Sequence, residues 1–190
     1  YKRQDAPVPV TALAFVLTTG LAAGFTWLWS TWRGSDDDFA MGPASQNPGV
    51  LAIGLTAVVV PLVGELIRQI GPVILASRPQ FDDLMDGLTF GIISGVAYAT
   101  GDTLVRHWAV LESGFNSPGT GAGTWTVLMV LEGFIKPLVI GTATGLACAE
   151  FSGLGKGYDG FTTRYVLAVL EAVLWNVLYF GGTYPVSYTH

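Results

Sequence analysis

Five stretches of this chain are each long and apolar enough to cross a bilayer, and no other feature constrains its fold as tightly. They run roughly over Val8–Ser30, Val50–Ser77, Asp86–Leu111, Trp125–Glu150 and Tyr165–Phe180. A helix needs about 20 apolar residues to span the hydrocarbon core. Within that core every backbone polar group must be satisfied inside the segment, so the expectation is an all-α, polytopic bundle of about five transmembrane helices. The 190 residues make one domain, 1–190. The second stretch is long for one span and contains Pro61 and Gly71-Pro72, which predicts a tilted or kinked helix, or a span followed by an interfacial turn.

Composition points the same way and excludes other classes. Only 12% of residues are charged, 51% are hydrophobic and mean hydropathy is +0.50, whereas soluble domains carry about 25% charged residues. A net charge of -5 with no basic run argues against a nucleic-acid surface. The single Cys148 rules out an intramolecular disulfide and reads as a small core residue. The chain opens on Tyr1 with no Met or signal peptide, which reads as a fragment, a processed form or the ordered part of a longer protein.

Lys and Arg in the short connections set the expected orientation. Lys2, Arg3, Arg78, Lys156 and Arg164 fall on one side. On the other, Arg33 sits among Asp36, Asp37 and Asp38, and the connection Glu112–Thr124 has no cation. This predicts an integral protein of the cell membrane with Tyr1 cytoplasmic and His190 outside. Trp27, Trp29, Trp32, Trp108 and Trp125 then gather near the outer interface.

Small residues mark where helices are expected to touch. Gly87, Gly91 and Gly95 recur at steps of four in the third stretch; Gly141 and Gly145 do so in the fourth, and Gly20 and Gly24 in the first. This spacing reads as close packing of backbones in lipid.

Ionisable groups within the spans are costly and are functional suspects. Glu65 and Arg68 lie in the second stretch, Asp102 and Arg106 in the third, Glu132 and Lys136 in the fourth, and Glu171 in the fifth. Without Arg106 these are four carboxylates against two cations, a formal -2, so some must share protons or pair with Arg106. Glu132 and Lys136 are four apart and fit a self-neutralising pair; Arg68 fits either Glu65, three residues away, or Asp102 across the bundle. A carboxylate in an apolar layer is a candidate general base or proton carrier, and equally a hydrogen-bonded cluster that fixes helix register.

Soluble-enzyme motifs are missing: no HExxH, no phosphate-cradling loop and no GxSxG. His107 and His190 are the only histidines, so no metal site and no cofactor is expected. Gly101-Asp102 has the glycine–aspartate pairing of presenilin-type proteases, but the second aspartate, in Tyr158-Asp159, falls in a loop and in the wrong chain order.

Several motifs nevertheless line up in order. These are Tyr1-Lys2-Arg3-Gln4-Asp5-Ala6-Pro7-Val8-Pro9, Pro61-Leu62-Val63-Gly64-Glu65-Leu66-Ile67-Arg68, Phe81-Asp82-Asp83-Leu84-Met85-Asp86-Gly87, Gly95 through Thr103, Pro137 to Gly145, and Leu174-Trp175-Asn176. In this order and spacing the chain resembles the PrsW family of intramembrane proteases over most of its length. The resemblance sets these segments beside a basic lead-in to a helix, a proline followed by EExxK, an FDxxxDG helix start, a glycine-rich run ending FAxxEN, a fourth helix, and a final HxxWN.

The departures fall on the residues that the family is expected to use. The first glutamate of the pair is Gly64, the second is Glu65, and the lysine is Arg68. The FAxxEN glutamate is Asp102 and its asparagine Thr103. The two histidine positions hold Ile140 and Ala172, and Asn176 remains of the last motif. The resemblance implies water activation for peptide-bond hydrolysis, which needs a base, an acid and an oxyanion stabiliser within reach of one another. Here the resemblance leaves Glu65, Arg68, Asp102 and Asn176 to carry it, without either histidine. The leading reading is a non-catalytic module that binds or scaffolds another membrane protein within a larger assembly. The alternatives are an active peptidase running on Glu65 and Asp102, and an ion- or proton-coupled transport subunit with Asp102, Glu132, Lys136 and Glu171 along its path.

Overall fold

The computed structural model describes residues 8–33, 50–76, 83–114, 121–152 and 160–188. The Tyr1 to Pro7 motif, the Asp36 to Asp38 run, Phe81-Asp82, Tyr158-Asp159 and the cations Lys2, Arg3, Arg78 and Lys156 lie outside the described residues. Among the described residues the chain is helical with no strand.

The long apolar runs become the principal helices. In chain order the elements are α1 (Val8–Arg33), α2 (Val50–Ala76), α3 (Leu84–Arg106), the short α4 (Trp108–Ser113) and α5 (Ala122–Val127), a π-helical stretch over Leu128–Ile135, α6 (Lys136–Ser152) and α7 (Thr163–Tyr188). The segment from α5 through the π-helical turns to α6 is one continuous span, so five helices are long and apolar enough to cross a membrane. α2 runs through Pro61 and Pro72 as one helix of 27 residues, with no turn between. The third stretch does not reach Leu111 unbroken: α3 stops at Arg106, and His107, with φ -108 and ψ 19, starts a new short helix.

Local caps place the starts. Asp83 accepts the Asp86 N–H at 2.8 Å ahead of α3, and the Thr162 hydroxyl accepts the Tyr165 N–H at 3.2 Å ahead of α7, each satisfying a donor that the first turn leaves open. Gly160 makes the turn before α7 with φ +71, a conformation that a side chain resists.

α3 and α6 form the centre, with α1 and α2 against α3 and α7 against α6. Glycine decides how close the central pair comes. A Cβ on Gly95 would lie 2.6 Å from Gly141 Cα, and one on Gly91 would lie 2.7 Å from Gly145 Cα; one on Gly87 would collide with Ser152 Oγ. Gly20 and Gly24 do not share this role, for among the described residues nothing lies within 4 Å of a Cβ placed on either. On α3 it is Gly101 that lets α1 in, for a Cβ there would collide with Thr19 O and lie 3.1 Å from Ala23 N. Trp27, Trp32 and Trp108 are exposed, whereas Trp125, near the start of its span, is buried.

Candidate functional site

Four helices turn a largely polar stripe inward. It is Glu65, Arg68 and Gln69 on α2, and Ser94, Tyr98 and Asp102 on α3. α6 contributes Lys136, Ile140 and Thr144, and α7 contributes Tyr165, Ala172, Asn176 and Tyr179; every one is buried. Spacings of three, four and seven keep side chains on one face of a helix, so each stripe runs along its helix. The polar groups gather in two clusters.

The first surrounds Glu65. Arg68 donates to Glu65 Oε2 from Nε at 3.0 Å and from Nη2 at 2.6 Å. Gln69 donates to Glu65 Oε1 at 2.6 Å, and the Thr144 hydroxyl to Oε2 at 3.1 Å. Gln69 Oε1 in turn accepts from Cys148 Sγ at 3.1 Å and from the Tyr165 hydroxyl at 3.2 Å. The guanidinium lies 4.6 Å from the centre of the Tyr98 ring. The structure thus pairs Arg68 with Glu65 rather than with Asp102.

The second surrounds Asp102. Its carboxylate accepts from Thr26 at 2.5 Å, from Arg106 Nε at 2.9 Å and from Lys136 Nζ at 2.7 Å. Lys136 also pairs with Glu132, one turn away. Glu132 accepts further from Thr103 at 3.0 Å and from the Tyr179 hydroxyl at 3.3 Å. His107 Nε2 stands 3.8 Å from Glu132 and has no hydrogen-bond partner among the described residues. Burial holds this imidazole below its ordinary pKa, against the pull of Glu132. The π-helical turns carry Glu132, and the Lys136 N–H closes onto Leu131 O.

Each cluster closes its own charge. Glu65 is matched by Arg68, and Asp102 with Glu132 by Arg106 with Lys136. That is the condition for burial, since an unpaired ion in a low dielectric costs several kcal/mol. Glu171 joins neither cluster. It sits on the exposed face of α7, with Trp175 Nε1 3.4 Å from one carboxylate oxygen.

Ile140 lies one helical turn from Lys136 and one from Thr144, between two anchors about 12 Å apart along α6. Ile140 and Ala172 are both buried and apolar. Gly64 is accounted for by its neighbour: a Cβ there would lie 2.6 Å from Tyr98 Oη, so the tyrosine fills the space that a larger residue would need. Tyr98 Oη and Asn176 Oδ1 are buried without a hydrogen-bond partner among the described residues. Asn176 spends its Nδ2 on Ala172 O at 2.7 Å.

Sequence reasoning singled out the charged members and missed Thr26, Gln69, Thr144, Tyr165 and Tyr179. Thr144, eight residues from Lys136, had a usable signal in the helical repeat. Thr26, Tyr165 and Tyr179 had none, because their roles depend on which helices meet.

A family model described as PrsW family intramembrane metalloprotease matches residues 6–188. No curated protein and no solved structure matches the chain. The residues present do not fit a catalytic metal: no three of His, Cys, Asp and Glu come together among the described residues. Ile140 and Ala172 offer no donor atom, and the carboxylates of Glu65 and Asp102 are taken up by cations. Matched along nearly its whole length, the chain belongs to the PrsW family.

Proposed function

We propose that this protein is a non-catalytic PrsW-type membrane module that binds and positions another membrane protein. The observation that carries this reading is the internal neutralisation of both candidate catalytic carboxylates. A general base must be free to take a proton from water, and Glu65 and Asp102 are engaged by Arg68, Arg106 and Lys136. Ile140 and Ala172 supply no acid to complete such chemistry.

The test compares proteins recovered with the wild type from native membranes and with Glu65→Gln/Arg68→Gln. Changing both residues keeps the first cluster neutral, whereas Glu65→Gln alone leaves a buried cation. A stoichiometric membrane partner retained by the double variant supports the reading. A membrane protein that is cut with the wild type and accumulates whole only with the variant overturns it.

A working peptidase is the second reading, favoured by the unpartnered buried atoms Tyr98 Oη and Asn176 Oδ1. It requires that the Glu65–Arg68 pair open to admit water, and it predicts the overturning result above.

A further inference from the structure

Among the described residues, Glu171 is the one charge of the polar set that no cation answers. The two interior clusters are each neutral, whereas Glu171 is exposed. The span of α7 covers Thr163–Gly182, which puts this carboxylate about 12 Å along the helix from one end and about 16 Å from the other. That depth lies beyond the headgroups, where a carboxylate facing acyl chains is costly. It stands in a groove between α6 and α7 of ≈ 430 Å³, with Leu138, Leu146, Ala168 and Trp175 as apolar wall and Thr142 as a second polar group across from it. An apolar groove with one placed carboxylate and one hydroxyl has the make-up of a binding site.

We propose that this groove receives a transmembrane helix of a partner protein that carries Lys or Arg at mid-depth, its cation pairing with Glu171. Charge complementarity selects this occupant over lipid tails, which offer the carboxylate nothing. It also selects against a second copy of the chain. A symmetric contact would set Glu171 against Glu171; the span cations Arg68 and Lys136 are buried, and Arg106 is committed to Asp102. The proposal rests on the partner-binding reading above and names where and how that partner docks.

The experiment uses the full chain in liposomes, with a photoreactive residue at Leu146 in the groove or at exposed Leu17 on α1 as reference. The probe is a synthetic Leu/Ala transmembrane helix with a single central Lys, compared with the same helix carrying central Leu or Glu. Cross-linking at Leu146 is expected to favour the Lys helix by about tenfold, with no preference at Leu17. Glu171→Gln should abolish the preference, and Glu171→Lys should transfer it to the Glu helix. Equal labelling by all three helices, a preference that survives Glu171→Gln, or cross-links chiefly between copies of the chain would each overturn the proposal. Failure of the two readings is separable. A native partner still held by Glu171→Gln removes the groove and leaves the module. Cleavage that depends on Glu65, with Lys-helix capture intact, removes the non-catalytic reading and leaves the groove.

Discussion

At the scale of single residues, the bundle is held by charges that would be ruinous alone. Lys136 is fully buried and serves Asp102 and Glu132 at once. Lys136→Met leaves two carboxylates sharing Arg106, and the loss of one partner from a buried ion group costs about 3–5 kcal/mol. Adding Glu132→Gln restores neutrality, with Asp102–Arg106 intact. The double variant is therefore expected to be more stable than Lys136→Met alone, as read by unfolding of the detergent-solubilised protein. If it is less stable, charge balance is not what Lys136 supplies. Gly64 and Tyr98 make a second coupled pair. Gly64→Ala sets a Cβ 2.6 Å from the phenol oxygen, an overpacking cost of about 1–3 kcal/mol. In a Tyr98→Phe background the same change should cost less, so the two substitutions together should destabilise by less than their sum. Which residues carry charge was legible from the sequence, and so was the Glu132–Lys136 pair, because four residues is one helical turn. The choice of Glu65 over Asp102 by Arg68 was not, because it depends on where α6 brings Thr144.

At the scale of elements, the glycine steps of α3 announced a packing face, and the contact with α6 fulfils it. Gly20 and Gly24 show the limit of that signal, since spacing alone does not say whether a neighbour is present. Gly95→Ala is accordingly expected to destabilise by about 1–3 kcal/mol, because backbone lies on the opposing side and cannot yield. Gly20→Ala, in open space, should change stability by less than about 0.5 kcal/mol. Equal effects in an unfolding titration would show that the α3–α6 approach is not specific. The break at His107 went unread because no Pro or Gly marks it and helix resumes at Trp108. Its imidazole faces Glu132, Lys136, Arg106 and Asp102, and burial lowers its pKa from the ordinary 6.5. The unfolded chain therefore takes up the proton first as pH falls. His107 favours the fold above about pH 6.5, and stability declines as the pH drops from there towards the folded value. Between pH 7.5 and 5.5 the wild type should lose more stability than His107→Gln, and an identical loss in both would clear His107 of the effect.

For the whole molecule, polarity is arranged inside out relative to a water-soluble protein. Glu65, Arg68, Asp102 and Lys136 are at most 1% exposed, whereas Leu17, Leu66, Leu170 and Leu174 are each more than half exposed. Lipid explains both halves: it rewards an apolar exterior and leaves polar groups no solvent but one another. This is why fold class was legible from length and hydropathy, while the assembly of the clusters had to wait for the helix arrangement. Five helices among the described residues are long and apolar enough to cross, and an odd number of crossings is expected to set Val8 and Tyr188 on opposite sides of the membrane. The side is set by cations in the connections: Arg164 stands at the start of α7, whereas the connection Glu112–Thr124 has none. The expected topology is therefore the Phe161 side cytoplasmic and the Gly114 side outside. Cys148 is buried, so single cysteines introduced elsewhere report against a quiet background. An impermeant thiol reagent applied to intact cells should label Gly114→Cys and leave Phe161→Cys unlabelled until the membrane is opened. The reverse pattern would invert the topology. It would leave the Glu171 groove at the same depth, because α7 crosses the bilayer in either orientation.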